Sequence, residues 1–66
     1  MKPATKEFVV GYTKYTPRSA TVNGVAGYNW MKKKLIDERW VHQEMKFVRK
    51  EAAEIEVEAS FVGGAT

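Results

Sequence analysis

The stretch Trp40-Val41-His42-Gln43-Glu44-Met45-Lys46-Phe47-Val48-Arg49 decides the fold, because it fits two different periods. Read as a helix, its apolar positions continue into the following residues: Val41, Met45, Val48, Ala52 and Ile55 follow one another at spacings of 4, 3, 4 and 3. Trp40 and Phe47 flank that stripe, while Lys46, Arg49, Lys50 and Glu54 lie on the other side, which is the pattern of an amphipathic helix. Read as a strand, Val41, Gln43, Met45 and Phe47 alternate at period two. What precedes the stretch favours the helix. Asp37 is placed as an N-cap, with Glu38 in the first turn where the macrodipole favours an anion. Ile36 and Val41 are spaced as a hydrophobic staple. The expectation is a helix over residues 38–54.

Toward the N-terminus the signals are extended. Lys6–Tyr15 is β-branched and aromatic, with Phe8, Val10 and Tyr12 on one face at period two and Val9, Thr13 and Tyr15 on the other. This predicts one strand, ended by Thr16-Pro17. Asn23-Gly24 lies between apolar residues and predicts a type I′ hairpin turn, since both central positions need positive φ. Its arms are expected at Arg18–Val22 and Val25–Trp30. Residues 31–39 fit either an extension of the second arm or the opening of the helix. Gly24-x-x-Gly27 matches the spacing of a backbone-clamping loop in some RNA-binding modules, but that loop joins helices and strands flank this one.

Toward the C-terminus, Ala53, Ile55, Val57, Ala59 and Phe61 alternate with Glu54, Glu56, Glu58 and Ser60. This predicts a half-buried strand with an acidic outer face, closed by Gly63-Gly64. The fold class expected is therefore α+β: a single domain over residues 1–66 with about four antiparallel strands packed on one amphipathic helix, in the order β-β-β-α-β. Residues 1–5 and 63–66 are expected to fray.

Charge is divided along the chain. All 11 Lys and Arg fall within residues 1–50, against four acids, Glu7, Asp37, Glu38 and Glu44, so that segment carries +7. Residues 51–66 carry Glu51, Glu54, Glu56 and Glu58 and no base, a charge of −4. A chain this short buries only about 60% of its unfolded surface, and it has no Cys for a disulfide or a thiolate metal site. A partner, or a second copy in a homodimer, is a reasonable source of further stability. No uncharged stretch approaches the ~20 apolar residues of a membrane span. No secretory signal is read at the start. A cytoplasmic protein, of a cell or of an infected host, is the expectation.

Catalysis has few parts to work with. His42 is the single His, so no two-His metal site can form within the chain. Ser19 and Ser60 lack a nucleophile context. His42 with Glu38 at i−4 on a helix is better read as a solvated pair than as a general base, which needs a pocket. Glu54, Glu56 and Glu58 on one strand face are about 7 Å apart, but acids on the wet side of a strand serve solubility. No metal, cofactor or catalytic residue is expected.

Two surfaces remain. The first combines Lys14, Arg18 and the consecutive Lys32, Lys33 and Lys34 with Tyr15, Tyr28 and Trp30, a set that on an exposed sheet would pair phosphates and stack bases. The alternative is that these aromatics are core. The second is the expected helix stripe, with Trp40, Val41, Met45 and Val48 as an interface, since Trp and Met are enriched where proteins meet. A small non-enzymatic protein-interaction module is the leading reading: an adaptor, a phage-type inhibitor of a host protein, or a small subunit of a larger assembly. Nucleic-acid binding is the alternative. A net charge of +3 is modest for it, and the acidic end opposes it unless that end faces away.

Overall fold

A computed structural model describes residues 2–63. Four antiparallel strands form one sheet in the order β1-β2-β3-β4: β1 (Phe8–Val10), β2 (Thr13–Val22), β3 (Val25–Ile36) and β4 (Arg39–Arg49). One helix, α1 (Glu54–Gly63), follows them. The four antiparallel strands and single helix of the expected class are present. The element order is β-β-β-β-α, however, and the helix and the last strand have exchanged places relative to the expected β-β-β-α-β.

Three two-residue turns explain the sheet. Asn23 and Gly24 both have positive φ, 50° and 79°, and Val22 pairs with Val25, as the type I′ reading requires. Asp37 and Glu38 repeat that geometry, with φ of 51° and 64° and Ile36 paired with Arg39. Asp37 is thus a turn residue and not an N-cap, and residues 39–49 return as a strand where a helix was expected over 38–54. In the third turn only Gly11 has positive φ, 61°, and Val10 pairs with Thr13, the pattern of a type II′ turn. The single strand expected over residues 6–15 is therefore a hairpin.

Pro17 does not end β2; it pairs with Trp30 inside it. Counting outward from the Val22–Val25 pair, hydrogen-bonded and non-bonded pairs alternate, and Pro17–Trp30 is a non-bonded one. The missing N–H thus faces away from β3. Because β1 covers only Thr13–Tyr15, that side of Pro17 is a free edge, where proline is tolerated. The hairpin arms consequently run from Thr13 to Ile36, longer than the expected 18–30.

Side chains of paired residues share a face, so the register sorts the sheet into two surfaces. The first carries Phe8, Tyr15, Tyr28, Trp30, Lys32 and Val48. There Tyr15 and Trp30 form a buried cluster with Ala4, Ala52, Val57 and Phe61. Phe8 stacks on Tyr15 at 5.0 Å and meets Trp30 edge-on at 5.4 Å; Phe61 tilts against Tyr15 at 5.5 Å. Ala4, within the segment expected to fray, is buried and donates its N–H to the Ala52 carbonyl at 2.7 Å. The expected fraying at residue 1 and at 64–66 lies outside the described residues.

The segment expected as an acidic strand is α1. Val57 and Phe61, four residues apart and hence on one helix side, are buried, whereas Ile55 and Val62 are exposed. The Ala53 carbonyl accepts the first helical bonds from the N–H groups of Glu56 and Val57, both at 3.0 Å. Glu54 and Glu56 occupy the first turn, where the helix dipole favours them.

Candidate functional site

The second surface of the sheet is built from the alternate residues of the same strands. Register pairs give its transverse rows. Trp40 lies beside Leu35. His42, Lys33, Lys14 and Val9 form the next row, followed by Met45, Met31 and Thr16. Phe47, Asn29 and Arg18 come after them. Rows are about 7 Å apart along the strands. Among the described residues outside the sheet, Ala4, Ala52, Val57 and Phe61 all gather on the first surface, and the second has no such cover. Met45 and Val9 are more than half exposed, Trp40, Phe47 and Leu35 are half-buried, and Arg18 and His42 are exposed.

A bulge makes this surface continuous. Lys33 pairs with His42 but Lys32 with Glu44, so β4 carries one extra residue there. The extra residue shifts the parity of β4. Trp40 and His42 on one side of the shift then share a face with Met45 and Phe47 on the other. Without it, Trp40 would face away from Phe47.

Charge on the surface is ordered. The Lys14 ammonium stands 4.5 Å from the centre of the Trp40 ring, a cation–π contact, and 4.0 Å from Glu7 Oε1. Glu7 also accepts a hydrogen bond from Thr16 Oγ1 at 2.9 Å, at the rim. Lys33 neighbours Lys14 directly across the strand pair. Arg49 reaches the helix, donating to Glu56 Oε2 at 2.8 Å. Phe47 lies over Gly27: a Cβ there would stand 2.7 Å from Phe47 Cζ and would collide with the Val48 carbonyl oxygen. Glycine is what lets this ring lie flat on the sheet.

The sequence-predicted sites are divided by the register. Lys14, Arg18 and Lys33 come together on the open surface. Tyr15 and Trp30 do not join them; they are 6% and 1% exposed and belong to the core. Tyr28 is half-buried edge-on to Trp30 at 6.0 Å. The three consecutive lysines alternate faces, with Lys32 on the core side, 5.9 Å over the Phe61 ring, and Lys34 on that side too. The expected helix stripe is split as well. Trp40 and Met45 are on the open surface, while Val41 and Val48 belong to the other. Phe47, His42, Met31 and Asn29 were missed as surface partners, although alternation in residues 40–49 pointed to some of them.

No known protein family, characterised protein or solved structure matches this chain. Among the described residues, no three His, Cys, Asp or Glu side chains gather to hold a metal ion. None of the described helices is long and apolar enough to cross a membrane. The burial of Tyr15 raises its phenol pKa above the ordinary value, with Glu58 and then Glu44 adding to the shift.

Proposed function

We propose that this chain is a small binding domain, not an enzyme, and that the open surface of its sheet engages a nucleic acid. One observation carries the reading: the acids of α1 belong to the face opposite the open one, although bases occupy both. Glu54, Glu56 and Glu58 belong to α1, whose buried residues sit on the Trp30 side. The open surface carries Lys14, Arg18 and Lys33, with Glu7 at its rim. The acidic end, which on sequence grounds opposes a polyanion, is thereby turned away from it. Helix and sheet act together here as a support that holds one basic, aromatic surface outward. Its cations pair phosphates, and its rings offer π-faces that any base can use.

A protein partner is the second reading, as an adaptor, host-protein inhibitor or subunit. It is favoured by the exposure of Met45 and by β4, whose outer edge has no partner strand among the described residues over Arg39–Arg49. The two readings separate in one titration. Purified protein is mixed with random-sequence DNA and RNA, single- and double-stranded, over a range of salt. The nucleic-acid reading expects binding that weakens with salt, with a log–log slope near −0.7 to −0.9 per neutralised phosphate. Absence of binding at low salt to every one of these would leave the protein-partner reading.

A further inference from the structure

We infer that the nucleic acid is single-stranded, with its bases toward β4 and its phosphates toward β2. The inference rests on the proposed reading of the open surface and adds the substrate class and an orientation. The surface is polarised across the strands. Its two aromatic side chains, Trp40 and Phe47, are both on β4 with Met45 between them, and Met31 and Leu35 carry the apolar part onto β3. Its cations free of the helix are on the opposite side, Lys14 and Arg18 on β2 and Lys33 on the intervening β3, while Arg49, at the end of β4, is taken up by Glu56 of α1. From β2 to β4 is about 10 Å, two strand spacings. That width accommodates one chain of nucleotides lying along the strands.

A duplex fits this arrangement poorly. It presents phosphates outward and keeps its bases stacked inside, so β4 would set Trp40 and Phe47 against a charged backbone. Reading a groove requires an element that enters it, such as a helix or a two-stranded ribbon. The open surface offers a broad sheet face instead. Unpaired bases supply flat apolar partners for the rings, and stacking of this kind tolerates any sequence. Lys14 adds a coupling between the two halves of the track. Its ammonium rests on the Trp40 ring and near Glu7. A phosphate that draws Lys14 away uncovers the ring for a base.

The chain's two tryptophans make the test direct, since Trp30 is 1% exposed and Trp40 is the one a ligand can reach. Emission is followed while the protein is titrated with a thymidine oligonucleotide of about 20 nucleotides, and separately with a mixed-sequence duplex of equal length. The expected result is tighter binding of the single strand, with quenching that disappears in Trp40→Phe. Trp40→Ala is expected to weaken that binding about tenfold or more, from the range for base–aromatic stacking. Replacing Lys14, Arg18 and Lys33 by Gln should lower the salt slope by about two units. Replacing Lys34, Arg39 and Lys46 of the other face removes the same charge and should leave the quenching intact. Equal or tighter binding of the duplex without Trp40 quenching overturns the inference while leaving a nucleic-acid function standing. Binding at low salt of neither oligonucleotide nor of the RNA strand and duplex of the same lengths overturns both. Circular dichroism of each variant establishes that it is folded.

Discussion

Trp30 and Trp40 stand on adjacent strands of one sheet and meet opposite surroundings. Trp30 is 1% exposed, with Phe8 and Tyr28 edge-on to its ring. Trp40 is half-buried, and what lies over it is the Lys14 ammonium. The two faces differ because one helix of ten residues can supply apolar cover to one side only. Val57 and Phe61 are spent on the Trp30 side. A sheet with a single such helix is thus left with a second face whose large side chains are not needed to close the core. On that face an aromatic residue is available for a ligand, and the cations interleaved with it are consistent with one.

The strongest way to break this contrast is to remove each tryptophan in turn. Trp30→Ala should cost ~3–5 kcal/mol, the range for deleting a large aromatic from a core. For a domain whose core supplies about that much, the expected outcome is loss of cooperative unfolding. Trp40→Ala gives up a partly exposed cation–π contact worth ~0.5–1 kcal/mol and should stay folded. Urea denaturation followed by circular dichroism measures both. Equal losses would mean that the open face contributes to stability as much as the core face does.

Gly27 tests whether the open face is itself shaped. It is buried although it faces that side, because Phe47 covers it. Gly27→Ala places a methyl against the Val48 carbonyl and the Phe47 ring, and overpacking of this kind costs ~1–3 kcal/mol. The shift in urea midpoint reports it. If Phe47→Ala abolishes the penalty, the ring alone is responsible; a penalty that persists assigns it to the backbone of β4. A neutral Gly27→Ala would show that Phe47 does not lie flat, and the aromatic half of the surface would lose its geometry.

The same two residues, Phe47 and Trp40, show how far the sequence could be read. Asn23-Gly24 was legible because it satisfies type I′ geometry by residue type alone. Asp37-Glu38 makes the same turn but was not, since Glu rarely adopts positive φ and Asp before it imitates an N-cap. The bulge in β4 did further damage. By shifting parity midway, it broke the strand alternation of residues 40–49 and let Val41, Met45 and Val48 fall at helical spacing. At the C-terminus, α1 lacks a Ser, Thr, Asp or Asn cap and relies on the Ala53 carbonyl, so the period-two pattern of Val57, Ala59 and Phe61 read as a strand. Of the site, Lys14, Arg18 and Lys33 were identified by charge, and Trp40 and Met45 by size. Which face each occupied required the register.

Tyr15 ties the core face to pH. Its phenol pKa is raised first by burial, then by Glu58 and Glu44. The folded state therefore holds the proton at a pH where the unfolded chain has released it. The stabilisation is fully present below the unfolded value near 10 and declines as pH rises from there through the higher folded pKa. Alkaline melting curves should show that decline, and Tyr15→Phe should flatten it. Tyr12, which is 71% exposed, provides the control: Tyr12→Phe should leave the decline unchanged. If both variants behave alike, Tyr15 is not the residue that links the core face to alkaline pH.

The smallest expected effect sharpens the comparison by leaving both faces untouched. Glu38 has φ of 64° in the Asp37-Glu38 turn, where Gly24 occupies the equivalent place in the other type I′ turn at 79°. An L-residue in the left-handed region costs ~1–2 kcal/mol. Glu38→Gly relieves this but admits the greater freedom of glycine in the unfolded chain, ~0.5–1 kcal/mol. The net gain should be a few tenths to about 1 kcal/mol, read as a raised urea midpoint with an unchanged slope. Trp40 quenching by a single-stranded oligonucleotide should be the same in this variant as in the parent, because the substitution adds no contact to the open face. A weakened quench would bring the turn into the binding surface and extend the track beyond the end of β3. A lowered midpoint would mean that the Glu38 side chain makes a stabilising contact that outweighs its backbone strain.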